Sequence, residues 1–223
     1  GREYFIGEDE DDIVNYSLTT RPTTTTGEAG TETKLVQLPT QDNSGLIELT
    51  NTRDTGTLKV SKSVVSDLKA DHSLSFSFVV TTNPPISNLT SGYHYTITNA
   101  VDSTTSGGYI QFANGTSTTA VGLKDTETLA IEGLPVGVTY TATEAINGAF
   151  TSNSNPSDPV PSDPSDDNAQ SVVHPAAGSQ TLTQKNEEQL VAFTNTRKTG
   201  ELSVAKTISS SVDADKTKDF WFK

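Results

Sequence analysis

The chain predicts an all-β protein built as a row of antiparallel β-sandwiches, one complete and two partial. Short runs rich in Thr, Val, Ile and Tyr alternate apolar with polar residues, as half-buried strands do. Clusters of Gly, Pro, Asn and Ser separate them at the spacing of a sandwich, and no stretch has the periodicity of an amphipathic helix. The chain also repeats itself. Thr-Asn-Thr-Arg at 50–53 recurs at 194–197 and Leu-x-Val-x-Lys at 58–62 recurs at 202–206, an interval of 144 residues in both cases (195 − 51 and 206 − 62).

Residues 1–53 are expected to be the C-terminal part of a preceding repeat. Their Tyr4-Phe5-Ile6-Gly7-Glu8 resembles Tyr140 to Glu144, at an interval of 136 (144 − 8), so the connection after the glutamate differs in length. Residues 54–197 form the complete repeat, within the usual size of one domain. Its predicted strands cover 57–65, 74–82, 93–99, 108–113, 126–134, 138–146 and 189–196. Asn114-Gly115 suits a tight hairpin turn, and Gly133-Leu134-Pro135-Val136-Gly137 should reverse the chain before the strand that ends at Glu144. The polar, proline-rich stretch from Asn153 to Asp167 predicts an exposed loop. Residues 198–223 open a third repeat.

Composition excludes several functions. With no Cys among 223 residues, disulfides, thiol catalysis and Cys-ligated zinc are ruled out, so covalent stabilisation needs another chemistry. A net charge of −13 repels phosphate backbones and anionic lipid, which makes nucleic acid and membrane surfaces poor partners for this segment. No apolar run is long enough to span a bilayer.

Strand parity singles out three polar residues. Side chains alternate faces, so Lys62 shares a face with Leu58 and Val60, Glu144 with Tyr140 and Ala142, and Asn195 with Val191 and Phe193. Each is therefore expected to point into a core. An amine, a carboxyl group and a carboxamide buried together are costly unless mutually satisfied, and this combination is able to condense into a Lys–Asn isopeptide bond. The competing reading has Lys62 extend past a strand edge and Asn195 bond local backbone. Lys59 is the second-choice nucleophile, and parity puts it on the opposite face. The partial copies supply Glu8, Asn51 and Lys206 at the matching positions, but only the middle copy holds all three.

Thr-Gly-x-Leu-x-Val-x-Lys at 55–62, Glu-Gly-Leu-Pro-x-Gly-x-x-Tyr-x-x-x-Glu at 132–144 and the closing Phe-Thr-Asn-Thr at 193–196 resemble the isopeptide-forming, immunoglobulin-like repeats of Gram-positive surface proteins. Those repeats include the collagen-adhesin B-type domains and streptococcal-type pilin repeats. The resemblance covers the complete copy and both partial ones. It implies a stalk module of a cell-wall-anchored surface adhesin or pilus-like fibre, with Lys62 and Asn195 cross-linked and Glu144 as internal catalyst. An apolar surround lowers the amine pKa and raises that of the carboxyl group. Neutral Lys62 would then attack the Asn195 carboxamide while protonated Glu144 polarises its oxygen and relays a proton to the departing ammonia. This is self-modification without turnover, so the chain is not expected to be an enzyme, and no cofactor is implied. The bond would join residues next to the two linkers, so tension would bypass most of the sandwich.

Other motifs are weaker. Glu8 to Asp12 and the carboxylates Asp158, Asp163, Asp166 and Asp167 lack Ca²⁺-loop spacing, and His72, His94 and His174 lack metal-ligand spacing, so no metal site is expected. Asn88-Leu89-Thr90 is an accidental glycosylation match, and Leu38-Pro39-Thr40-Gln41 lacks the rest of a sorting signal. Besides the stalk, whose partners are neighbouring repeats, two functions stay open. One is a ligand-binding adhesin domain recognising a host extracellular protein or glycan, the other an accessory domain of a surface enzyme. A fixed period favours the stalk.

Overall fold

The structure, a computed structural model, describes residues 3–6, 14–21, 34–37, 48–87, 91–145, 147–155 and 176–221. In chain order its strands are β1 (Glu3–Ile6), β2 (Tyr16–Arg21), β3 (Lys34–Gln37), β4 (Glu48–Arg53), β5 (Thr55–Val65), β6 (Phe76–Asn83), β7 (Tyr93–Asn99) and β8 (Thr105–Ile110). They continue with β9 (Phe112–Ala113), β10 (Thr116–Ser117), β11 (Val121–Leu123), β12 (Glu127–Pro135), β13 (Val138–Glu144), β14 (Phe150–Asn155), β15 (Ala177–Leu182) and β16 (Glu188–Arg197). A 3-10 turn, Lys69–Ser73, follows β5, and a single helical turn, α1 (Asp213–Lys216), lies near the C-terminus.

Residues 55–197 form an immunoglobulin-like sandwich of two six-stranded sheets. One runs β15-β13-β6-β10-β9 with β11 also on β6, and the other runs β14-β16-β5-β12-β7-β8. Alternation along each strand makes this core: Leu58, Val60, Leu129, Ile131, Val191 and Phe193 face Phe76, Phe78, Val80, Tyr140, Ala142 and Leu182, all buried. Aromatic pairs bridge the sheets edge to face, Phe76 with Phe150 at 5.4 Å and Phe78 with Phe193 at 4.9 Å. Asn114 and Gly115 have φ of 50° and 77°, the paired positive values of a type I′ hairpin turn between β9 and β10.

The strand pattern needs three corrections. The run expected over 108–113 is split, because β8 ends in one sheet and β9 begins in the other. Periodicity cannot see that switch: Ile110 and Phe112 are both buried with exposed Gln111 between them, whichever sheet each joins. Second, besides the short β10 and β11, two longer strands, β14 and β15, were not anticipated. Both are outermost strands with mostly outward polar residues, and β14 includes Asn153 to Asn155, where a loop was expected; residues 156–167 of that stretch lie outside the described residues. Third, the sandwich is not wholly antiparallel. Among the described residues every strand pair is antiparallel except β5–β16, the first and last strands of the domain, which run side by side in parallel. The start of β5 and the end of β16 therefore lie at opposite ends of the sandwich.

Candidate functional site

Lys62 reaches the interior because it continues the inward series Gly56, Leu58, Val60 of β5. Glu144 is the last residue of β13 in the facing sheet, and Asn195 lies two residues from the end of β16. In the parallel ladder Phe193 stands opposite Lys62 and Asn195 opposite Val64. Lys62 and Asn195 are thus diagonal neighbours on one inner face, and Glu144 comes to them across the core. Exposure is 2 % for Lys62, 1 % for Glu144 and 0 % for Asn195.

One oxygen joins the group. Asn195 Nδ2 donates a 2.8 Å hydrogen bond to Glu144 Oε1, and Lys62 Nζ stands 3.1 Å from that same atom. Lys62 Nζ, Glu144 Oε2 and Asn195 Oδ1 are buried without a well-formed hydrogen bond. Each such group costs about 1–3 kcal/mol. Lys62 Nζ also lies 4.4 Å from the centroid of the Phe76 ring. Burial lowers the Lys62 pKa from its ordinary value, while the Glu144 carboxyl and, more weakly, Asp125 pull it back up. Desolvation dominates and favours the uncharged amine.

The carboxamide is turned differently from the sequence-based expectation, in which Glu144 polarises the Asn195 oxygen. Here Glu144 touches the nitrogen. A single carboxyl oxygen therefore spans the amine that would attack and the nitrogen that would leave, which is the placement of a proton relay. Phe76 was not singled out from the sequence. The repeat could have revealed it, since Phe220 follows it by the same 144 residues (220 − 76) and lies 4.3 Å from Lys206 Nζ.

The remaining candidates are dispersed. Asn51 is exposed on β4 opposite Leu18, and Lys206 is exposed. Glu8 with the acidic run to Asp12, Leu38 to Gln41, Asn88 to Thr90, Asp158, Asp163, Asp166, Asp167 and His174 lie outside the described residues. Lys59 points outward and pairs with Glu188 at 2.6 Å on the surface. His72 is half-buried and its Nδ1 lies 2.6 Å from Asp125 Oδ2, whereas His94 is exposed, 3.4 Å from Glu132. Among the described residues no three His, Asp or Glu side chains are grouped to hold a metal, and no helix is long and apolar enough to cross a membrane.

Several solved structures align with this chain at low identity. A pilus-presented adhesin aligns at 24 % identity over 66 % of this chain and 28 % of its own, with a TM-score of 0.41. The major pilin of Streptococcus pyogenes aligns at 20 % identity over 74 % of this chain and 55 % of its own, with a TM-score of 0.42. The T-13 major pilin of the same organism aligns at 16 % identity over 88 % of this chain and 66 % of its own, with a TM-score of 0.43. The chain thus spans little more than a quarter of the adhesin's length. No curated protein matches. Residues 56–197, the span from the first to the last strand of the sandwich, match the family described as "Domain of unknown function (DUF7601)", and the chain belongs to that family.

Proposed function

We propose that residues 54–197 are one tension-bearing repeat in the extracellular stalk of a cell-wall-anchored bacterial adhesin or pilus-like fibre, tied internally by a Lys62–Asn195 isopeptide bond. The observation that carries this reading is the shared Glu144 oxygen, 2.8 Å from Asn195 Nδ2 and 3.1 Å from Lys62 Nζ inside an apolar core. Neutral Lys62 Nζ attacks Asn195 Cγ, and a new C–N bond forms. Glu144 takes a proton from Nζ and delivers it to Nδ2, the old C–N bond breaks, and ammonia leaves. Atoms balance without any co-reactant, and the product amide N–H is left facing Glu144. The reaction replaces the unpartnered Lys62 amine by an amide N–H directed at Glu144, and escape of the ammonia gives it a direction. Since it happens once per domain, it is self-modification without turnover and not enzymatic action on a substrate.

The partial copies support the tandem reading. β1 pairs with β3 and β2 with β4, as β13 pairs with β15 and β14 with β16, and Tyr16 stands opposite Arg53 as Phe150 stands opposite Arg197. Downstream, Ser210 Oγ donates to Asp215 at 2.8 Å as Ser66 Oγ donates to Asp71 at 2.5 Å, both pairs 144 residues apart in sequence (210 − 66 and 215 − 71). Residues 1–53 and 198–223 read accordingly as the end and the beginning of neighbouring repeats.

Intact-mass measurement tests the chemistry. The purified chain should weigh one ammonia less than its sequence, and Glu144→Ala should restore the full mass. A native chain at full sequence mass would remove the cross-link and the reading built on it.

A further inference from the structure

The complete domain is gripped at its N-terminal end by the segment before it. β4 ends at Arg53 and β5 begins at Thr55, which leaves Asp54 alone between them. Both backbone groups of that residue are engaged: its N–H donates to the Asn15 carbonyl at 2.8 Å, and its carbonyl accepts from Val136 N–H at 2.9 Å. Side chains reinforce the joint. Ser17 Oγ donates to Asp54 Oδ1 at 2.5 Å, and Lys185 Nζ donates to Ser17 Oγ at 2.7 Å while lying 3.4 Å from Asp54 Oδ1. The Arg53 guanidinium lies 4.9 Å above the Tyr16 ring and donates through Nη2 to the Val136 carbonyl. Gly137 permits this approach. Its φ is +79°, and a Cβ there would stand 2.8 Å from Asn15 Nδ2 and 3.0 Å from Arg53 Nη2.

Half of this joint occurs twice in the chain. Lys198 N–H donates to the Ala149 carbonyl at 3.0 Å as Asp54 N–H donates to Asn15. Arg197 lies 5.4 Å above the Phe150 ring as Arg53 lies above Tyr16. These are contacts a repeat makes with its own last strand and with the joining residue that follows it. The other half, Val136, Gly137 and Lys185, belongs to the domain that follows.

Resting on the tandem-repeat reading, we infer that consecutive repeats dock end to end without slack: the last-strand arginine of one caps the Pro135-Val136-Gly137 turn of the next, and the Asp54–Lys185 pair fixes their relative rotation. The partner of each end is another repeat of this kind. The two ends are not interchangeable, because Lys198 occupies the position of Asp54. A lysine at the position of Lys185 in the following repeat would face like charge.

Amide exchange on the full chain tests the joint. Asp54 joins the two repeats and is held from both sides: Val136 N–H reports its contact with the complete domain, Asp54 N–H its contact with the preceding repeat, and Gly137 N–H, bonded to the Leu182 carbonyl at 2.7 Å, the complete domain alone. Arg53→Ala should speed exchange at Val136 by about tenfold and leave Gly137 unchanged. Lys185→Asp should do the same more weakly, and adding Asp54→Lys should restore protection. Slow exchange at Val136 in both single variants, with Asp54 still protected, overturns the docking proposal and leaves the repeats standing. Fast exchange at Asp54 in the unaltered chain overturns the repeat reading itself.

Discussion

Glu144 is held in the core by Asn195 and by the amine of Lys62, so removing one partner differs from removing two. Lys62→Met deletes the amine, and with it the proposed cross-link, and leaves a buried carboxyl group facing an apolar chain. Breaking a buried pair in this way costs about 3–5 kcal/mol, whereas apolar replacement of both members is often neutral or stabilising. The Lys62→Met/Glu144→Leu double variant should therefore be more stable than Lys62→Met alone, by about 3–5 kcal/mol or more in urea titrations. A double variant that melts below the single one would mean that Glu144 is not buried beside the amine. His72 carries a separate expectation. The Asp125 carboxylate, helped by the Ser66 carbonyl, raises its pKa above the usual 6.5. A raised folded pKa means that the charged form stabilises the fold below pH 6.5, and that this contribution fades as pH rises through the shifted value. The melting temperature lost on His72→Gln should accordingly be largest in mildly acidic buffer and shrink above neutrality.

Single strands of this domain were legible where the signal was local. Parity alone turned Lys62, Glu144 and Asn195 inward, and Asn114-Gly115 marked its own hairpin. At that turn Gly115 has φ +77°, and a Cβ would stand 3.0 Å from Pro85 Cα and from the Thr82 carbonyl oxygen. Gly115→Ala should cost about 1–2 kcal/mol, read as a lower urea midpoint with an unchanged slope. What could not be read was long-range pairing. The β5–β16 ladder joins residues more than a hundred positions apart, and nothing within either strand tells a parallel partner from an antiparallel one. The approach of Lys62 and Asn195 was thus inferred from the repeated motifs and the resemblance, not from pairing rules. Outermost strands were lost for another reason: β14 buries only Phe150, so its polar remainder looks like loop.

At the scale of the whole molecule, the parallel pairing decides how force passes. Tension applied at the two ends of the domain would enter at the start of β5 and leave at the end of β16, which lie at opposite ends of the sandwich, so an unlinked domain would resist only by shearing the ladder between them. A Lys62–Asn195 bond short-circuits that path. Force would run along β5 to Lys62, cross to Asn195 and leave through Arg197, while the 132 residues numbered 63–194 stay slack. At about 3.4 Å per extended residue those residues represent about 450 Å of hidden length. Single-molecule pulling on the complete domain should show no unfolding step of that size, because the bond would have to break covalently first. Glu144→Ala, with the same sequence length but no bond, should release a step of about 450 Å at ordinary unfolding forces. If the unaltered domain gave the same step as the variant, the sandwich and not a covalent tie would carry the load.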